Sequence, residues 1–143
     1  MAKRQRQSRG AGARGEAFLQ VGDDSYPILF TNRAIFRAER VTGKPVLQIT
    51  NALSEQTLSM GDLVRMLLIG LEEGRRDAGF AMSATRQGNR PYALTEAWDI
   101  LDLAGFRAVL VAVFDALAQV LSYSPLEFDL PNGLEADESP PGG

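Results

Sequence analysis

Three carboxylates, Glu96, Asp99 and Asp102, recur at every third residue and share one side of a helix. Oxygen ligands of that kind suit Ca²⁺ or Mg²⁺. The glycine-bearing loop of a calcium hand is missing, however, and carboxylates near a helix N-terminus are favoured by the helix dipole. A solvated acidic face is therefore expected, and no metal is assigned. Gly10-Ala11-Gly12-Ala13-Arg14-Gly15 spells G-x-G-x-x-G. A dinucleotide loop must follow a strand and open a helix, whereas this one follows a basic run and precedes a strand. Gly43-Lys44 lacks the upstream glycine of a phosphate loop and reads as a helix stop. The basic run holding Lys3, Arg4, Arg6 and Arg9 could touch phosphates through salt-sensitive contacts. The rest of the chain is acidic, so nucleic acid is not an expected partner, and a small DNA-binding regulator ranks behind the readings below.

What is missing narrows the chemistry further. The 143 residues include no cysteine and no histidine, only two lysines and three tyrosines. Disulfides, thiolate zinc sites, imidazole ligands and His-based nucleophilic catalysis are excluded. No enzyme and no cofactor is expected. A secretory signal is not expected either, because Gly, Ser and Arg follow the basic start. The 45% hydrophobic content suffices for a packed core. The net charge of −3 is unevenly spread: residues 1–15 carry +5, residues 16–123 carry −3 and residues 124–143 carry −5. This divides the chain into a basic disordered tail (1–15), a folded body (16–123) and an acidic Pro/Gly-rich tail (124–143).

The elements that must position any site follow from local signals. Ala17-Phe18-Leu19-Gln20-Val21 and Tyr26-Pro27-Ile28-Leu29-Phe30 flank a Gly/Asp/Ser cluster and predict a β-hairpin. Pro27 has no ladder donor, so its strand is an edge or pairs only beyond that point. Thr31 or Asn32 can cap a helix that stops at Gly43, with Ala34, Ile35, Ala38 and Val41 on its apolar face. Pro45 can begin a short helix through Leu53. Ser59 caps the next, with Asp62 as capping-box partner and Glu72–Arg76 as an i,i+4 pair near its end. Thr95 can cap a helix ending at Gly105, and a last helix runs from Phe106 to about Tyr123. The expected fold is mainly α with a short N-terminal β-hairpin, a small helical domain of the α+β class.

Of residues 106–121, 13 of 16 are apolar, interrupted only by Arg107, Asp115 and Gln119 along one narrow stripe. The segment is too short for a membrane span, so no membrane is expected. A surface helix carries an apolar stripe rather than an apolar girth. Either this helix is the central post of the body, or part of it meets a partner or a second copy. Self-association is expected around Val109, Val113 and Leu117.

The run Arg14-Gly15-Glu16-Ala17-Phe18-Leu19-Gln20-Val21-Gly22, then Tyr26-Pro27-Ile28-Leu29-Phe30, then Ala34-Ile35-Phe36-Arg37-Ala38-Glu39-Arg40-Val41-Thr42-Gly43-Lys44-Pro45, resembles the tail assembly chaperones of long-tailed phages and gene transfer agents. Ser59 to Leu63 resembles their capped "Ser-x-x-Asp-Leu" helix, and Leu94 to Phe106 their final helix pair meeting at an "Ala-Gly" stop. The resemblance covers roughly residues 14–122 and implies a small helical assembly factor. Such a factor keeps tape-measure or tail tube subunits soluble in the host cytoplasm until the tail polymerises. Because some members are labelled tail tube components, a structural role in the virion tail is the alternative. The resemblance carries no catalytic residues.

Overall fold

The computed structural model describes residues 13–85 and 90–124. Its order is β1 (Gly15–Val21), β2 (Asp24–Phe30), α1 (Asn32–Thr42), α2 (Val46–Glu55), α3 (Met60–Arg76), α4 (Ala78–Ala81), α5 (Leu94–Ala104) and α6 (Phe106–Ser122). This is the expected mainly helical body with an N-terminal hairpin. Lys3, Arg4, Arg6 and Arg9, and the acidic residues from Glu127 onward, lie outside the described residues.

The hairpin is longer and tighter than its sequence suggests. Strand pairing runs in register from Gly15↔Phe30 to Val21↔Asp24. Only Gly22 and Asp23 form the turn, with Gly22 at φ 62°, as a two-residue hairpin loop requires. Pro27 does not shorten the pairing, and the hydrogen bonds explain why. The Glu16 N–H and C=O point away from β2, toward Gln119. Main-chain direction alternates along an antiparallel strand, so Phe18 and Gln20 also point outward. Pro27 faces Phe18 across the ladder. Its missing N–H therefore falls where no ladder bond is made. Ser25, opposite Gln20, likewise points outward and exchanges hydrogen bonds with Thr85.

The helices obey their local signals. Thr31 accepts the Ala34 N–H, and Gly43 ends α1 in the left-handed region at φ 73°. Ser59 accepts the Asp62 N–H. The Asp62 carboxylate does not complete a capping box. It takes the Lys44 ammonium at 2.7 Å and Arg65 at 3.4 Å. Glu72 pairs with Arg75 at i,i+3 rather than with Arg76. The helix expected from Glu96 with Thr95 as its cap starts two residues earlier, at Leu94, where the Glu96 carboxylate accepts the Ala93 N–H.

One face of the hairpin, carrying Leu19, Ile28 and Phe30, packs on α3 and α6 and forms the core with Ile49, Leu53, Leu63, Leu67 and Ala97. On the other face Phe18 meets Phe80 edge-on at 5.1 Å between ring centres. Helix α6 touches both strands and α2, α3 and α5, and is the central post. The body also begins earlier than residue 16. Arg14 pairs with Asp77 at 3.0 Å and with Glu16 at 3.0 Å, and lies over the Phe80 ring. Among the described residues no helix is long and apolar enough to cross a membrane.

Candidate partner-binding surface

Val109, Val113 and Leu117 were the residues expected to meet a partner, and the structure corrects that expectation. All three have 0% exposure and lie inside the core. An apolar girth does not reveal which side receives the hairpin. Here the hairpin and three helices cover these positions, so self-association through them would require unfolding. The large apolar residues that α6 leaves exposed are Val111 and Leu121, and Ala108 is exposed beside them.

Val111 belongs to the polar stripe. Arg107, Val111, Asp115 and Gln119 recur every four residues and so share one side of α6. That side borders the outer edge of β1. A groove of about 700 Å³ lies between them, lined by Glu16, Phe18 and Gln20 from the strand and by Arg107, Val111 and Asp115 from the helix. At one end the groove is closed by Gln119. Its carboxamide accepts the Glu16 N–H at 2.9 Å and donates to the Glu16 C=O at 2.8 Å. A side-chain amide thus stands where the peptide group of a third strand would stand. Beyond it, the outward N–H and C=O groups of Phe18 and Gln20 have no partner among the described residues. Phe18 is half exposed.

Sequence reading found the stripe of Arg107, Asp115 and Gln119 but not its purpose. The signal available was the four-residue spacing, which marks a shared face. What the face meets is a tertiary fact. Gly15 is similar. It reads as the last residue of a Gly-rich tail, yet it opens β1 against α6. A Cβ there would lie 1.7 Å from the Ala116 carbonyl oxygen, so only glycine permits that approach. Gly15 opens a strand and no helix, so the G-x-G-x-x-G does not have the context of a nucleotide loop.

The charged residues elsewhere are mostly joints. Glu73 is 2% exposed and accepts hydrogen bonds from Thr31, Arg33 and Arg37 at 2.7 to 2.8 Å. Burial pushes its pKa up, but bonds from Arg37, Thr31 and Arg33 outweigh this and hold it below the ordinary value. Burial opposes ionisation of Glu72 too. Arg75 and the Tyr92 N–H prevail and keep it low. Asp77 is held low against its burial by the Phe80 N–H and Arg14. Asp99 and Asp102 are exposed, and Glu96 is bound to Arg90. Among the described residues no three His, Cys, Asp or Glu side chains gather as a metal site.

The residues that carry the family resemblance meet in space. Gly43 ends α1, Glu39 accepts the Val46 N–H at the start of α2, and Lys44 reaches Asp62 of the Ser59-capped helix. They build the corner between α1, α2 and α3. No protein-family model, curated protein or solved structure matches this chain.

Proposed function

We propose that this chain is a phage-type tail assembly chaperone that transiently holds tape-measure or tail tube subunits in the host cytoplasm before the tail polymerises. The reading rests on the order of elements across residues 14–122 and on the residues quoted for the resemblance. One observation supports a holding role: the open main-chain edge of β1 beside the Val111 side of α6. Such an edge captures an extended segment through main-chain hydrogen bonds, with side-chain pockets adding selectivity. Contacts of this mixed, half-polar kind suit a partner that must be released.

The test is a pull-down of the full chain against tape-measure and tube subunits, repeated with Val111→Glu. Capture that Val111→Glu weakens is expected, and failure to bind either subunit overturns the reading. Stoichiometric recovery in purified particles would instead favour the structural role in the virion.

A further inference from the structure

The β1 edge and the neighbouring side of α6 are both self-complementary. We propose that two copies of this chain pair across a two-fold axis, β1 beside β1 and α6 beside α6, so that their hairpins form one four-stranded sheet. The main-chain groups come first. Phe18 and Gln20 point their N–H and C=O groups outward and have no partner for them among the described residues. A two-fold axis through Leu19 sets Phe18 of each copy opposite Gln20 of the other. Each such antiparallel pair exchanges two hydrogen bonds. Gln119 already holds the Glu16 groups, so the new ladder stops there. The outer edge of β2 is the poorer template, because Pro27 has no N–H to give and Ser25 is held by Thr85.

The helix surface obeys the same symmetry. Arg107, Val111 and Asp115 are exposed along one side of α6 and read cation, apolar, anion. Arg107 and Asp115 stand about 12 Å apart along the helix, too far to pair within one copy. Neither has an ion-pair partner among the described residues. A two-fold axis at Val111 sets each Arg107 against Asp115 of the other copy, with the two Val111 side chains between the pairs. The strand axis and the helix axis coincide. Gly15 abuts Ala116 and Glu16 is held by Gln119, so α6 runs antiparallel to β1 from that end. Leu19 lies about 13 Å along the strand from Gly15 and about 10 Å from Glu16. At 1.5 Å per residue those distances lead back along α6 to about residues 107 and 112, which bracket Val111. The spacing across the axis fits as well. Helix α6 touches both strands. A helix lying over two strands about 4.8 Å apart sits about 5 Å from the axis, which leaves about 10 Å between the two helices, a packing distance. An isologous contact of this kind closes at two copies. It needs no client and stands apart from the chaperone reading; if both hold, a client segment competes with the second copy for the edge.

The test is sedimentation equilibrium of the full chain from about 1 μM to 1 mM, the range of modest affinities. A monomer–dimer equilibrium is expected. Arg107→Asp and Asp115→Arg are each expected to raise the dimer Kd at least about tenfold, because each turns two symmetry-related attractions into repulsions. The two together restore opposite charges and are expected to return the Kd to within about threefold of the original. Gln20→Pro removes one outward N–H, spares the β1–β2 ladder and is expected to weaken the dimer about tenfold. Circular dichroism checks that each variant is folded. A monomer throughout, growth beyond two copies, single charge reversals without effect, or a double reversal that fails to restore pairing would each overturn the proposal. The pull-down is read separately. A monomer that still captures tape-measure or tube subunits overturns this proposal alone, and a dimer that captures neither overturns the chaperone reading alone.

Discussion

The hairpin is flanked by a long helix on each strand, and the two seams are built differently. Along β2 the seam with α3 is close-packed at Pro27, Ile28 and Phe30. Gly70 and Gly74 stand one turn apart on α3, where a Cβ would come within 2.6 Å of Ile28 and 2.9 Å of the Pro27 carbonyl oxygen. Glu73, between them in sequence, is buried and answered by three donors. Along β1 the seam with α6 is tight only where the strand begins. Gly15 and Gln119 close that end, and from Phe18 onward the edge is open. The lesson is that β2 is packed closely against its helix while β1 keeps a groove beside its outer edge, in a sheet of only two strands among the described residues. An exposed edge is a liability for aggregation. Its retention beside a shaped groove is what gives the groove functional meaning.

Substitutions can break or sharpen this contrast. Gly15→Val should be the most damaging, since it collides with main chain of α6. A loss of about 3 kcal/mol or more is expected from overpacking with no side chain to yield, read as a lower urea midpoint. Gly74→Val should cost a similar or slightly smaller amount for the same reason on the β2 seam. If Gly15→Val proves neutral, the tight end of the β1 seam is refuted.

Glu73→Gln should cost about 2 kcal/mol, the range for hydrogen bonds to a charged group. The pH profile gives the same contrast without mutation. Glu72, Glu73 and Asp77 all have folded pKa values below their ordinary ones. For groups of that sign, the unfolded chain binds more protons in the acid range. Their stabilisation is complete above the unfolded values, near 4.5 for Glu and 3.8 for Asp, and is lost as pH falls through the lower folded values. Thermal unfolding should therefore shift down below about pH 4 and stay level from about pH 6 to 8, where no side chain ordinarily titrates in a chain without histidine. Glu73→Gln should flatten the acid limb. A midpoint that moves through neutrality would contradict this account.

On the open side, effects on stability should be small. Gln119→Ala removes two exposed hydrogen bonds to Glu16 and should cost about 0.5–1 kcal/mol, while speeding amide exchange at Glu16. Val111→Glu should change the urea midpoint by no more than about 0.5 kcal/mol in equivalent stability, yet lower capture of an extended partner. A large stability loss there would mean that the groove is a structural seam like that of β2.

Much of the scaffold was legible because its signals are local. Thr31, Gly43, Ser59 and Gly105 each act within one helical turn of their own position, so their residue types sufficed to mark the ends of helices. The site was less legible. Val109, Val113 and Leu117 have the same apolar character as Val111, and only the docking of the hairpin and the other helices separates the buried three from the exposed one. Asp62 has the spacing of a capping-box partner, but Lys44 and Arg65 compete for its carboxylate and win through proximity created by the α1–α2 corner.

By itself, then, the sequence determined the class of fold, the order and caps of the helices, the hairpin, and the absence of cysteine and histidine chemistry. These depend on composition, periodicity and contacts close along the chain. Tertiary structure alone decided that Gly15 belongs to the body, that Gln119 substitutes for a peptide group, and that the outer edge of β1 remains open beside Val111. Each of these joins residues about 100 positions apart in sequence. No local periodicity encodes such a meeting, because it arises from how an almost wholly apolar helix and a hairpin divide a small core between them.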